Sequence, residues 1–292
     1  MKILVFGSLN IDLIFPVDHV VRPGETIGSA SLTRSAGGKG ANQAAALAKA
    51  GMDVYMAGKI GADGEFLLRL LESYGVDTGC VSRYEGATGQ AIIQLDRDKQ
   101  NAILLFSGGN GRITLDEIKG TIGKFDRGDT IVLQNEVVRM AEIMETAHER
   151  GLRICLNPSP WDTNIGALPL DLADLFFVNE IEGAAMADLS GAPPRRILDR
   201  LAERFPTAEI ILTAGKEGAY YGFQGIREKG DIVDLPVADT TGAGDTFTGY
   251  FLAARSRNFS VGEALAAACK AASIAVSRMG AMEAIPLGTE VF

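Results

Sequence analysis

Apolar residues fall in short runs, set apart by stretches with helical spacing. Residues 2–7 contain Ile3-Leu4-Val5-Phe6 and stop at Gly7, the pattern of a strand buried on both faces. Residues 39–50 are Ala-rich and end at Gly51, which predicts a helix closed by a glycine. Val54–Ala57 reads as a strand, and Asp63–Tyr74 as a helix with an Asp cap, ended by Gly75. Thr130–Leu133, Arg153–Leu156, Leu175–Val178 and Glu209–Thr213 are further strand-like runs between helical patterns. Capping boxes stand at Thr114–Glu117 and Ser260–Glu263, the second opening an Ala-rich helix to about Arg278. The alternation predicts an α/β fold of three layers, a mostly parallel sheet with helices on both faces. Such sheets bind ligands beyond the carboxyl ends of their strands.

Two segments break the rhythm. Residues 11–34 lack helical spacing and hold Leu13-Ile14-Phe15, a turn at Pro23-Gly24 and a Thr/Ser-rich run. Residues 88–106 read as strands Gln90–Leu95 and Ala102–Phe106 joined by the polar loop Asp96–Asn101, a hairpin. Together they predict a small β-sheet lid inserted at about 11–34 and 88–106 of a single domain spanning 1–292, or else an edge extension of the main sheet.

Composition narrows the function. The chain has 292 residues, 47% hydrophobic and 22% charged, as in globular proteins. Its net charge of −9 argues against nucleic acid as a partner, since binding it requires a basic surface. Cys80, Cys155 and Cys269 lie far apart, with no zinc spacing and no disulfide framework. Reduced, buried thiols suit the cytoplasm. No stretch reaches the ~18 apolar residues that span a bilayer, so no membrane association is expected. With only His19 and His148, in a loop and on a charged helix, a general base is expected to be a carboxylate.

Glycine is over-represented, 35 of 292 or about 12% against an average near 7%. Asp239–Phe247 places Gly242-Ala243-Gly244-Asp245 directly before an apolar helix. Glycines there let backbone N–H groups converge on an anion, which the helix dipole also favours. Asp245 in that turn suits a base that takes a proton beside a transferring phosphoryl group, although a plain helix cap has the same pattern. Gly37-Gly38-Lys39-Gly40-Ala41-Asn42-Gln43 opens another helix, and Lys39 and Asn42 there can bond a polyol. A turn that merely permits close packing would read alike. Asn10 and Asp12, just past the first strand, point the same way and can grip adjacent hydroxyls. No Gly-Lys is followed by Ser or Thr, so there is no P-loop, and no Gly-x-Gly-x-x-Gly follows the first strand.

The two Gly clusters, in this order and about 200 residues apart, resemble the signatures of the ribokinase-like carbohydrate kinases, over nearly the whole chain. Gly7–Asp12, Gln134–Glu136, Asn157-Pro158, Asn179–Glu182 and Thr213–Gly218 resemble further family segments. The resemblance implies ATP as co-substrate and Asp245 as the base. The backbone amides of Gly242, Ala243 and Gly244 would form an anion hole for the γ-phosphate. Asn10, Asp12, Gly38, Lys39, Asn42 and Glu136 would bind sugar, and Thr213, Gly215 and Gly218 would line the nucleotide site. Asn179 and Glu182 would hold Mg2+ through waters. Asp239, Thr241, Arg278 and Gly280 match a K+ loop, the last two through carbonyls, although Ala284 stands where members often carry Ser. No final helix is expected after Pro286. The implied reaction is phosphorylation of a small sugar's terminal hydroxyl, the 5-hydroxyl of D-ribose first, by a homodimer paired through its β-lid. The alternatives are a kinase for deoxyribose, a hexose such as fructose, or a nucleoside, and a non-catalytic sensor on the same fold.

Overall fold

In the computed structural model, residues 1–98 and 100–292 are described, and Lys99, in the polar loop 96–101, lies outside them. From the N-terminus, β1 (Ile3–Phe6) is followed by β2 (Asn10–Pro16), β3 (Thr33–Gly37), α1 (Lys39–Lys49) and β4 (Val54–Ile60). Next come α2 (Glu65–Ser73), β5 (Asp77–Arg83), β6 (Gly89–Leu95), β7 (Asn101–Phe106), α3 (Leu115–Ile122) and β8 (Thr130–Gln134). Helix α4 (Met140–Arg150) leads to β9 (Arg153–Asn157), β10 (Leu175–Asn179), α5 (Glu180–Ala187), α6 (Pro194–Arg204) and β11 (Glu209–Thr213). The chain closes with β12 (Ala219–Phe223), β13 (Ile226–Gly230), α7 (Ala243–Ser256), α8 (Val261–Val276) and α9 (Gly288–Val291).

The main sheet has the order β13-β12-β11-β10-β9-β8-β1-β4-β5, with all strands parallel except β12, which runs antiparallel to both its neighbours, β11 and β13. Strand alternation divides the core between its faces. Ile3 and Val5 pack with Ala44, Leu67, Phe251 and Leu265 of α1, α2, α7 and α8. Leu4 and Phe6 pack with Ile118, Ile143, Met186 and Leu198 of α3 to α6. That is the three-layer arrangement expected from the apolar runs. The second sheet, β3-β2-β6-β7, takes its strands from the two arrhythmic segments, with β2 parallel to β6. Among the described residues, no helix is long and apolar enough to cross a membrane.

Both expected capping boxes form, and a third joins Asn179 to Glu182. Two local expectations are corrected. Asp63 does not cap α2, because its carboxylate accepts instead from Thr88 N and Thr88 Oγ1, tying the helix approach to the segment before β6. A short final helix, α9, does form after Pro286. Glu290 accepts from Leu287 N and pairs with Arg278, while the Phe292 ring packs on Tyr250, Phe259 and the Arg257 guanidinium.

Candidate active site

The carboxyl ends of β1, β8, β9, β10 and β11 deliver Gly7, Gln134, Asn157, Asn179 and Thr213 to one edge of the main sheet. Helices α1 and α7 meet above it. Their seam is made of small residues, with Gly249 so close that a Cβ would lie 2.5 Å from that of Ala46. This approach brings Asp245, in the first turn of α7, onto α1. Asn42 Nδ2 donates to Asp245 Oδ2 at 3.0 Å, and Gln43 Nε2 donates to Asp245 Oδ1 at 2.9 Å. Asp245 is 7% exposed, so its carboxylate is held by side-chain amides rather than by water.

A cleft of about 470 Å³ opens beside it, lined by Lys39, Asn179, Glu182, Thr213, Gly215 and Gly242–Asp245. Gly242 caps α7 with φ of 73°, a left-handed conformation suited to glycine. A Cβ on Gly244 would meet no atom within 4 Å, so packing does not demand glycine there. The missing side chain leaves backbone bare to the cleft. Asn179 and Glu182 line this cleft as the reciprocal cap of α5. Asn179 Oδ1 accepts from Ile181 N and Glu182 N, and Glu182 Oε2 accepts from Asn179 N.

A second cleft, of about 550 Å³, lies toward the smaller sheet and is lined by Asn10, Asn110, Glu136, Arg139 and Asp162 among others. The first Gly cluster packs behind Asn10, which lines this cleft. Gly38, at φ of 96°, lies so close to β2 that a Cβ would come within 2.8 Å of Ser8 O and 2.9 Å of Asn10 N. The Asp12 carboxylate fills the space over Gly37. Glu136 accepts from the Ser8 hydroxyl and from Lys39 N, which joins the end of β8 to the start of α1.

The electrostatics are concentrated here. Burial, together with the charges of Glu136 and Glu283, pushes the Asp12 carboxyl up to about 7. Burial also raises Glu136, against the pull of Lys39 and the Ser8 hydroxyl. Burial opposes the charge on Lys39, yet Asp245, Glu136 and Glu182 together lift its pKa above the ordinary lysine value. Lys39 is therefore a fixed cation between the two clefts.

Most of the residues expected from sequence line these clefts, but Asp12, Gly38, Asn42, Gly218, Asp239, Thr241, Arg278 and Gly280 do not. Gly218 is buried beneath β13, where a Cβ would lie 2.0 Å from Gly230 O, and the Arg278 guanidinium turns to Glu290. Asp239 gathers Thr241 and Gly280, with Oδ1 accepting from Thr241 N and Oγ1 and Oδ2 accepting from Gly280 N. Sequence reasoning gave Ser8 and Asn110 no role. Asn110 Nδ2 donates to Asn10 Oδ1 at 2.7 Å, and its Oδ1 accepts from Leu9 N. The glycines flanking Asn110 were the available signal, but its contacts are a hundred residues away in the chain.

A glycine-opened helix terminus beside a held carboxylate, next to a cleft lined by asparagines and by Glu136 and Asp162, is the arrangement of a ribokinase-like α/β kinase. The model of the pfkB family of carbohydrate kinases matches residues 1–287, and the chain belongs to that family. It is 32% identical to a ribokinase of Staphylococcus aureus, over 99% of this chain and 98% of that protein. The ribokinase of Cryptococcus neoformans in complex with ADP is 33% identical, with a TM-score of 0.86 and coverage of 99% and 98%. Arabidopsis thaliana ribokinase, complexed with ribose and ATP, is 28% identical, with a TM-score of 0.87 and coverage of 99% and 97%.

Proposed function

We propose that this carbohydrate kinase transfers the γ-phosphoryl group of ATP to the 5-hydroxyl of D-ribose, in the cytoplasm. The observation that carries the reading is the placement of Asp245. Both its oxygens are held by amides, and it lines the cleft at the glycine-opened terminus of α7, near enough to Glu136 of the second cleft for its charge to be felt there.

In this reading Asn10, Asp12, Asn42, Glu136 and the backbone at Gly38 hold the sugar. Asn42 Oδ1 is buried with no partner among the described residues, so it can accept from a sugar hydroxyl while Nδ2 holds Asp245. Asp245 takes the proton as the hydroxyl oxygen attacks the γ-phosphorus in line, and the bond from that phosphorus to the bridging oxygen breaks to release ADP. Charge growing on the equatorial oxygens meets the amides of Gly242, Ala243 and Gly244 and the Lys39 ammonium. Ala243 N donates to Thr240 O at 3.3 Å, a long bond that is readily exchanged for phosphate. Thr213 and Gly215 border the nucleotide.

Glu182 fits Mg2+ bound mainly by phosphates and water, since its Oε1 is not used by the cap and it lines the cleft together with Asn179. Mg2+ would neutralise charge on the β- and γ-phosphates. Asp239 fits a K+ loop as the acid that ties residue 241 to residue 280, with the carbonyls of Thr241, Arg278 and Gly280 as further oxygens. K+ would strengthen the field at the neighbouring anion hole. The small sheet acts as the lid that excludes water, the competing acceptor. Its edge strand β7 exposes Ile103, Leu104, Leu105 and Phe106, which suits pairing with the same strand of a second copy.

The test is ADP release with Mg-ATP and D-ribose, with and without K+, against fructose, deoxyribose and adenosine. Ribose-dependent turnover is expected, with Asp245→Asn lowering kcat by about 10²–10⁴. Preference for another acceptor overturns the ribose assignment alone. Nucleotide binding without turnover on any acceptor overturns catalysis by this chain.

A further inference from the structure

Gln43 and Gln134 have no role in the reaction as described, yet both are completely buried. Gln43 Nε2 donates to Asp245 Oδ1 at 2.9 Å and to Asn157 Oδ1 at 3.3 Å, while Gln43 Oε1 accepts from Gln134 Nε2 at 2.7 Å. That last bond sets the direction of the Gln43 amide. Turned by half a rotation, it would put its oxygen against the Asp245 carboxylate and its NH2 against that of Gln134.

Strand register builds this chain of amides. Parallel pairing of β1 with β8 aligns Phe6 with Leu133, so Gly7 follows beside Gln134, and β8 with β9 aligns Gln134 with Asn157. A Cβ at Gly7 would lie 2.0 Å from Gln134 Oε1, so Gln134 can occupy its place only over glycine. Asn157 Nδ2 is anchored in turn on Phe177 O at 2.8 Å. Gln134 Oε1 is buried without a partner among the described residues. An apolar pair would fill the same core without leaving a carbonyl unpaired, so packing alone does not account for two glutamines here.

We propose that Gln134 and Gln43 are positioning residues, an amide relay that carries the rigidity of the central strands to the carboxylate of Asp245. Gln43 fixes Oδ1, Asn42 fixes Oδ2, and the lone pairs left over face the cleft. Gln134 acts only through Gln43, because it is sealed from both clefts. This rests on Asp245 being the base.

The experiment measures kcat and KM for ribose from pH 5.5 to 9 in Gln134→Leu and Gln134→Glu, with Asp245→Asn alongside. Gln134→Leu is expected to lower kcat about 10–100-fold while KM changes little, because the loss is in geometry at the base. A glutamic acid at 134 can donate to Gln43 Oε1 only when protonated. The kcat of Gln134→Glu relative to wild type should therefore rise as pH falls, whereas the Gln134→Leu ratio stays flat. Should the leucine variant fail to fold, the pH trend of the Gln134→Glu ratio decides alone. Wild-type kcat in both Gln134 variants, with Asp245→Asn inactive, overturns the relay and leaves the base in place. Full turnover in Asp245→Asn overturns the base and the relay together.

Discussion

At the scale of single residues, the site holds its charges in conflict. Asp12 titrates near 7 because it is buried close to Glu136 and Glu283. Its folded-state pKa is raised, so the folded protein binds the proton more tightly than the unfolded chain does. Stability is therefore greatest below the ordinary carboxylate value and declines as pH rises toward 7. Above that, the ionised group costs up to about 4 kcal/mol. Asp12→Asn should raise Tm at pH 8 and give little gain at pH 4, as thermal melts would read. In the proposed sugar site an ionised Asp12 would accept from ribose hydroxyls, so KM for ribose should rise up to about tenfold per unit as pH falls below 7. A KM that stays flat from pH 8 to 6 removes Asp12 from the sugar site.

At the scale of elements, the seam between α1 and α7 couples stability to chemistry. Gly249→Ala would press a methyl against Ala46 and against the backbone at Leu47 N, 2.9 Å away. Neither backbone can yield, so a loss of about 1–3 kcal/mol is expected. Because the same helices carry Asn42, Gln43 and Asp245, kcat should fall together with Tm. Gly244→Ala is the contrasting case. Open space surrounds that position and its backbone is helical, so Tm should hold while the methyl intrudes on the cleft proposed to hold phosphate and activity drops. If both variants change Tm alone, the seam is structural only. Elements with regular apolar spacing were legible in the sequence, and β8, β9, β10 and β11 lie within a residue of where the runs put them. Strands β5 and β13 were not, since Asp77–Arg83 and Ile226–Gly230 are edge strands that each bury a single residue, Val81 and Gly230, too few to show as a run.

At the scale of the whole molecule, the four-stranded sheet stands over the cleft that holds Asn10 and Glu136, and its outer edge is apolar. Ile103, Leu104, Leu105 and Phe106 are each at least 50% exposed in one continuous strand, an edge that soluble proteins ordinarily pair or cover. With the proposed pairing of this strand between two copies, Leu104→Asp should convert a sedimenting dimer to a monomer and weaken sugar binding. Wild-type protein that sediments as a monomer at micromolar concentration would rule out pairing through this strand.

The sequence by itself determined the parts of this protein that are contiguous. Strand runs, capping boxes and the two glycine clusters are local signals, and they sufficed for the three-layer architecture and for singling out Asp245, Lys39, Asn42 and Asn10. Only the tertiary structure decided which groups hold those residues. Gln43 meets Asp245 across 202 positions, Asn110 meets Asn10 across 100, and Ser8 meets Glu136 across 128. Such pairings come from parallel strand register and from the approach of two small-residue helices, and neither leaves a spacing along the chain. The reversed cases have the same cause: Asp63 is spent on Thr88 rather than on its helix, and Gly218 on Gly230 rather than on the cleft. A local pattern states what a residue can do, and its neighbours in space decide which of those roles it takes.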